Sequence, residues 1–152
     1  MNVSSNRQRI KASDSNVPII LVVEDEPDNL LFISHALIYL KYNFITADKG
    51  EDGLDLATKY DIDLVLLDLV LPDIDGFDLV SLFKQNKPTQ NMPILAISAL
   101  VEPEERDRAL RTGCDDYLEK PYLIDDLKQK IRQYLPQFFF RKTLTPKKML
   151  TV

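Results

Sequence analysis

The stretch IDLVLLDLVLPDIDG, residues 62–76, decides how the rest of the chain is read. Ile62 and the run Leu64–Leu67 are apolar without alternation, as expected of a strand buried on both faces. Asp68 follows where that run should reach water. Pro72 and the pair Asp75-Gly76 then supply turn chemistry and the start of a helix. A carboxylate at the C-terminal end of a buried parallel strand lies where open α/β sheets form their ligand crevices. Asp68 is therefore the first candidate for chemistry.

Four more short apolar runs flank this stretch and alternate with helical patterns. Ile19–Val23 ends abruptly in Glu24-Asp25-Glu26-Pro27, and proline is tolerated in a first helical turn. Leu30, Ile33, Leu37 and Leu40 recur at helical spacing. Residues 44–47 read as a second strand, Lys49-Gly50 as a turn, and Leu54 and Ala57 mark a second helix. Leu79, Leu82 and Phe83 supply the buried side of a third. Residues 93–97 form a fourth strand ending in Ser98-Ala99. Residues 104–111 are helix-prone with few apolar anchors, chiefly Ala109 and Leu110, so this helix should be the most weakly held. Gly113 ends it, residues 116–119 form a fifth strand running into Lys120-Pro121, and Ile124, Leu127, Ile131 and Leu135 mark the last helix. Five strands alternating with five helices predict an α/β fold, a doubly wound five-stranded parallel sheet.

At 152 residues with 45% hydrophobic and 28% charged content, the chain fits one soluble domain. No apolar run approaches the roughly 20 residues needed to cross a bilayer, and the N-terminus lacks a signal-peptide pattern. A single cysteine, Cys114, excludes an internal disulfide and suits a reducing cytoplasm. One Cys and one His also argue against zinc. The net charge of −5 is uneven: residues 1–16 carry +2, residues 136–152 carry +4, and residues 17–135 therefore hold −11. So acidic a body disfavours nucleic acid, whose phosphates need Lys and Arg. The division expected is a flexible polar arm (1–16), a folded domain (17–136) and an aromatic, basic tail (137–152).

The C-terminal strand ends, taken together, are Glu24-Asp25, Asp68, Ser98 and Lys120. A doubly wound sheet sets these along one edge. Three converging carboxylates call for a cation, and hard oxygen ligands suit Mg²⁺. Lys120 offers a compact positive charge and Ser98 a hydroxyl for phosphoryl oxygens. Phosphoryl transfer needs mainly positioning and charge stabilisation, and Asp68 can serve as the nucleophile. Taken singly, each residue has a duller reading: helix-terminal acids, a turn aspartate, a buried hydroxyl, a solvated lysine. Their joint placement at the ends of separate apolar strands favours the chemical one.

These residues resemble a response-regulator receiver domain of two-component signalling over roughly residues 18–136. LVVEDEPDN resembles the family's first strand with its acidic pair, VLLDLVLPDIDG the phosphoacceptor strand and loop, ILAISA the Ser/Thr strand, and GCDDYLEKP the last strand with its Lys-Pro. The resemblance implies the flavodoxin-like (βα)5 fold with strand order 2-1-3-4-5, and the stand-alone, chemotaxis-regulator-like type. It implies that Asp68 is phosphorylated, and that Asp25, Asp68 and the Val70 carbonyl hold Mg²⁺ with Glu24 acting through water. It assigns Ser98 and Lys120 to the phosphoryl group and Tyr117 to a switch in which the ring turns inward, and it implies a cis bond before Pro121. Glu24 stands where Asp is frequent, Leu71 where Met is frequent, and Ser98 where Thr is frequent. Val70 and Leu100, at positions that tune phosphate loss in the family, are both apolar, so slow self-dephosphorylation is expected.

The expected function is a single-domain response regulator that is not an enzyme in its own right. It would take phosphate from a sensor histidine kinase or phosphotransfer protein, act on a downstream protein target in the cytoplasm, and bind neither DNA nor membrane. The 17 residues after Leu135 are too few for a DNA-binding module. Phe138, Phe139 and Phe140 would either pack back onto the domain or meet a partner, including a second copy in a homodimer. His35 reads as a surface residue and Cys114 as a small packing residue. A haloacid-dehalogenase-type phosphatase would want an acid where Val70 stands, and a flavodoxin-like nucleotide binder a Gly/Ser/Thr-rich loop in place of EDEPDN. A phosphate-independent interaction module on the same fold is the remaining alternative.

Overall fold

The computed structural model describes residues 17–100 and 102–135. Five strands, β1 (Ile19–Val23), β2 (Asn43–Ala47), β3 (Leu64–Leu67), β4 (Ile94–Ser98) and β5 (Asp116–Glu119), alternate with five helices. The helices are α1 (Pro27–Tyr39), α2 (Gly50–Lys59), α3 (Gly76–Gln85), α4 (Pro103–Thr112) and α5 (Ile124–Tyr134). All neighbouring strands are parallel, in the order β2-β1-β3-β4-β5. The predicted fold class and strand order are those observed. The polar arm and the Phe138–Phe140 tail lie outside the described residues.

The strands are continuous apolar runs because both faces of the sheet are covered. Ile19, Leu21 and Val23 point into a cluster with Ala57 of α2, Leu79, Val80 and Phe83 of α3, and Ala109 of α4. Ile20 and Val22, one step out of phase, join Ile33, Ala36 and Leu37 of α1 and Leu127 and Ile131 of α5. Burying each of these large side chains contributes about 1.5–3 kcal/mol before the entropy of ordering is set against it.

Two local readings are refined. Gly50, read as part of a turn, is the first residue of α2, and a Cβ there would come within 2.2 Å of Ile74. Leu82 is half-buried, and Phe77 and Val80 instead complete the inner face of α3. As expected, α4 is held least: Ala109 is its one buried residue, whereas α3 buries five. His35 is exposed. Burial pushes the Cys114 thiol up to about 12, so it is protonated and inert at neutral pH.

Candidate functional site

Strand register brings the acids together. Val23 pairs with Leu67 across β1 and β3, and the Asp68 N–H donates to the Val23 carbonyl at 2.9 Å. The next residue on each strand, Glu24 and Asp68, must therefore lie side by side at the C-terminal edge. Asp25 joins them, and one carboxylate oxygen from each of the three lies within 4.8 Å of the others. Glu24 and Asp68 are buried, Asp25 partly so.

Lys120 reaches this cluster from the far side of the sheet. Its backbone N–H bonds the Ser98 carbonyl at 3.0 Å, extending the β4–β5 ladder by one residue. Its Nζ then donates to Glu24 Oε2 at 2.7 Å and to Asp68 Oδ2 at 3.0 Å. The bond from Lys120 to Pro121 is cis. Burial raises the Glu24 carboxyl above its ordinary value, opposed by the Lys120 hydrogen bond and reinforced by the Asp68 charge. Burial alone would lower Lys120, but its hydrogen bonds and ion pairs with Glu24 and Asp68 outweigh that and leave it raised.

Asp68 Oδ1 accepts from the Val70 N–H at 2.9 Å. Val70 itself pairs with Asp75 in a short antiparallel bridge, and the residue is 57% exposed. Asp75 caps α3, accepting from the N–H groups of Phe77 at 2.8 Å and Asp78 at 3.4 Å. Gly76 packs so tightly on Leu69 that a Cβ would come within 2.4 Å of that backbone. Only glycine fits there.

Ser98 sits at the end of β4, fully buried, and its Oγ accepts from the Leu100 N–H at 3.3 Å rather than bonding Asp68. Tyr117 already lies inward, buried against the α2–α3–α4 side, with its hydroxyl donating to the Leu100 carbonyl. Sequence reasoning did not single out Asn29, Phe32 and Tyr122. With Ala99, Lys120 and Pro121 they line a cleft of about 540 Å³ beside the acids. Phe32 and Tyr122 meet edge to face at 5.6 Å, a pairing between α1 and the β5–α5 loop that no local pattern announces.

Three carboxylates against one lysine leave excess negative charge in a largely buried site. Oxygen donors at this spacing fit a hard divalent cation such as Mg²⁺. An α/β domain with an acidic cluster and a lysine at the C-terminal edge of its sheet defines a class of phosphoryl-handling proteins. The chain belongs to the response regulator receiver domain family, whose pattern it matches over residues 20–132.

It is 38% identical over 116 residues to the response regulator ArlR of Staphylococcus aureus, covering 76% of this chain and 52% of that protein. It is 32% identical over 136 residues to a probable cyclic di-GMP phosphodiesterase of Vibrio cholerae, covering 89% of this chain and 31% of that one. The chain thus spans about half or less of these relatives. Among solved structures it resembles the receiver domain of the sensor histidine kinase PA1611 from Pseudomonas aeruginosa, which has a magnesium ion coordinated in its active-site cleft. That likeness has a TM-score of 0.73 at 28% identity and covers 78% of this chain and 97% of that one. Among the described residues no helix is long and apolar enough to cross a membrane.

Proposed function

We propose that this chain accepts a phosphoryl group on Asp68 from a histidine kinase or phosphotransfer protein and passes the signal on through a change in its surface. The observation that carries this reading is the Glu24–Asp25–Asp68 cluster with Lys120 Nζ bridging two of its members. An Asp68 carboxylate oxygen attacks phosphorus, a C–O–P linkage forms, and the P–N bond to the donor imidazole breaks with its electron pair returning to nitrogen. Asp25, Asp68 and the Val70 carbonyl would hold Mg²⁺, with Glu24 acting through water. The ion supplies charge neutralisation and orientation for phosphoryl oxygens.

Lys120 stabilises the same oxygens from the opposite side. Ser98 reaches them by donating its O–H to a phosphoryl oxygen, an exchange of position that gives up the bond its Oγ accepts from the Leu100 N–H. Because the Tyr117 hydroxyl bonds the Leu100 carbonyl, that exchange moves the tyrosine and the start of α4 together. The protein is a phosphoacceptor that assists its own transfer and hydrolysis, acting in the cytoplasm on a protein target. Neither Val70 nor Leu100 can hydrogen-bond an attacking water, so the phosphoryl lifetime in wild type should exceed that in Val70→Asn/Leu100→Glu.

Intact-mass measurement after incubation with acetyl phosphate or phosphoramidate, with and without Mg²⁺, tests the reading. One Mg²⁺-dependent adduct in wild type, absent from Asp68→Asn, is the expected result. No adduct on folded wild type with either donor would instead favour a phosphate-independent interaction module.

A further inference from the structure

Helix α2 begins without a cap of its own. Lys49 has the extended backbone of an N-cap residue (φ −137°, ψ 151°), but its side chain makes no capping bond. The missing acceptor comes from Asp73, at the tip of the β3–α3 loop. Asp73 Oδ1 accepts from the Gly50 N–H at 2.9 Å, and Oδ2 accepts from the Glu51 N–H at 3.0 Å. Each oxygen of one carboxylate thus satisfies one orphan donor of a helix that precedes it by more than twenty residues. Beside it, Ile74 packs against Gly50 so closely that a Cβ there would meet its Cγ2 methyl at 2.2 Å. The backbone N–H groups of Glu51 and Gly50 hold the Asp73 carboxyl below the usual carboxylate range.

The same loop carries Val70. Its base is closed by the Val70–Asp75 bridge and by the Gly76 N–H bonding the Leu69 carbonyl at 3.1 Å. Leu71 and Ile74 pack its flanks against the core, and Asp73 adds the two hydrogen bonds that tie its tip to α2. We infer that Asp73 is a positioning residue for the metal site: by docking the loop tip on the N-terminus of α2 it fixes the direction of the Val70 carbonyl beside Asp68. This inference rests on the proposed Mg²⁺ role of that carbonyl.

Calorimetric titration of Mg²⁺, paired with thermal unfolding, separates a positioning role from a merely stabilising one. Asp73→Ala should unfold a few degrees lower and bind Mg²⁺ about three- to tenfold more weakly, less than the roughly 10- to 100-fold loss when a partner of a ligand is removed. Asp73→Asn, which keeps one acceptor oxygen, should fall between it and wild type. Adding Lys49→Ser to Asp73→Ala gives α2 a local cap, which should restore the unfolding temperature and leave Mg²⁺ binding weak. Wild-type affinity in Asp73→Ala, or recovery of affinity together with stability in the double variant, would overturn the inference alone. Wild-type protein that binds no Mg²⁺ would overturn the proposed metal site with it.

Discussion

Between β3 and α3 the chain is tied at nearly every step, whereas among the described residues between β4 and α4 the ties are few. The first loop is held by Asp68 to Val70, by Val70 to Asp75, by Asp73 to α2 and by the Asp75 cap of α3. It leads into a helix with five buried residues. Among the described residues of the second loop, Leu100 bonds Ser98 through its N–H and Tyr117 through its carbonyl. That loop leads into α4, which has no side-chain cap and buries only Ala109. The acids that would hold a metal stand on the tied half, and the hydroxyl and tyrosine that would report phosphorylation stand on the loose half. A site that must bind reproducibly and also change shape gains from this division.

The comparison is broken most strongly at Lys120, which spans both halves. Lys120→Met removes the only cation bonded to Glu24 and Asp68 among the described residues. Stability without divalent ions should fall by up to about 3 kcal/mol, and Mg²⁺ should recover more of it than it adds to wild type. Chemical denaturation with and without Mg²⁺ checks this. Gly76→Ala drives a Cβ into the Leu69 backbone and should cost about 2 kcal/mol, with the Val70 and Asp75 amide resonances shifting before those of Leu100.

A smaller effect concerns pH. Glu24 is raised above its ordinary 4.5 in the folded protein, so between 4.5 and that raised value the folded state binds the proton more tightly than the unfolded chain does. Stability should therefore fall as pH rises through this window, because burial and the Asp68 charge penalise the ionised Glu24 more than its bonds from Lys120 and the Glu26 N–H offset. In Glu24→Gln the melting temperature should decline less over the same range. An unchanged slope would locate the pH dependence elsewhere. The smallest effect sharpens the contrast: Arg108 of α4 lies 4.0 Å above the Phe77 ring of α3. Arg108→Ala should cost about 0.5–1 kcal/mol and speed amide exchange in α4 while leaving α3 protected.

The fold and the acidic cluster were legible because both follow from short-range pattern plus one rule of topology. Apolar runs mark the strands, and the residue ending each run must face the shared edge, which is how Glu24, Asp25, Asp68 and Lys120 came together on paper. The roles of Asp73 and Arg108 were not legible. Asp73 looks like an ordinary turn acid, and its partners lie 22 and 23 residues away. Arg108 looks like any solvated helix residue until Phe77 is placed beneath it. Ser98 ends β4, as the apolar run predicts, yet its bond to its own loop depends on a backbone path that residue types do not specify.

Cys114 joins the end of α4 to β5, with its N–H bonded to the Ala109 carbonyl at 3.0 Å and its thiol buried. A shielded, protonated thiol reacts with labelling reagents only in the moments when this junction opens. The protein therefore carries a built-in stopwatch on its loose half. The labelling rate of the single native thiol reads how often that half breathes, with no residue to change.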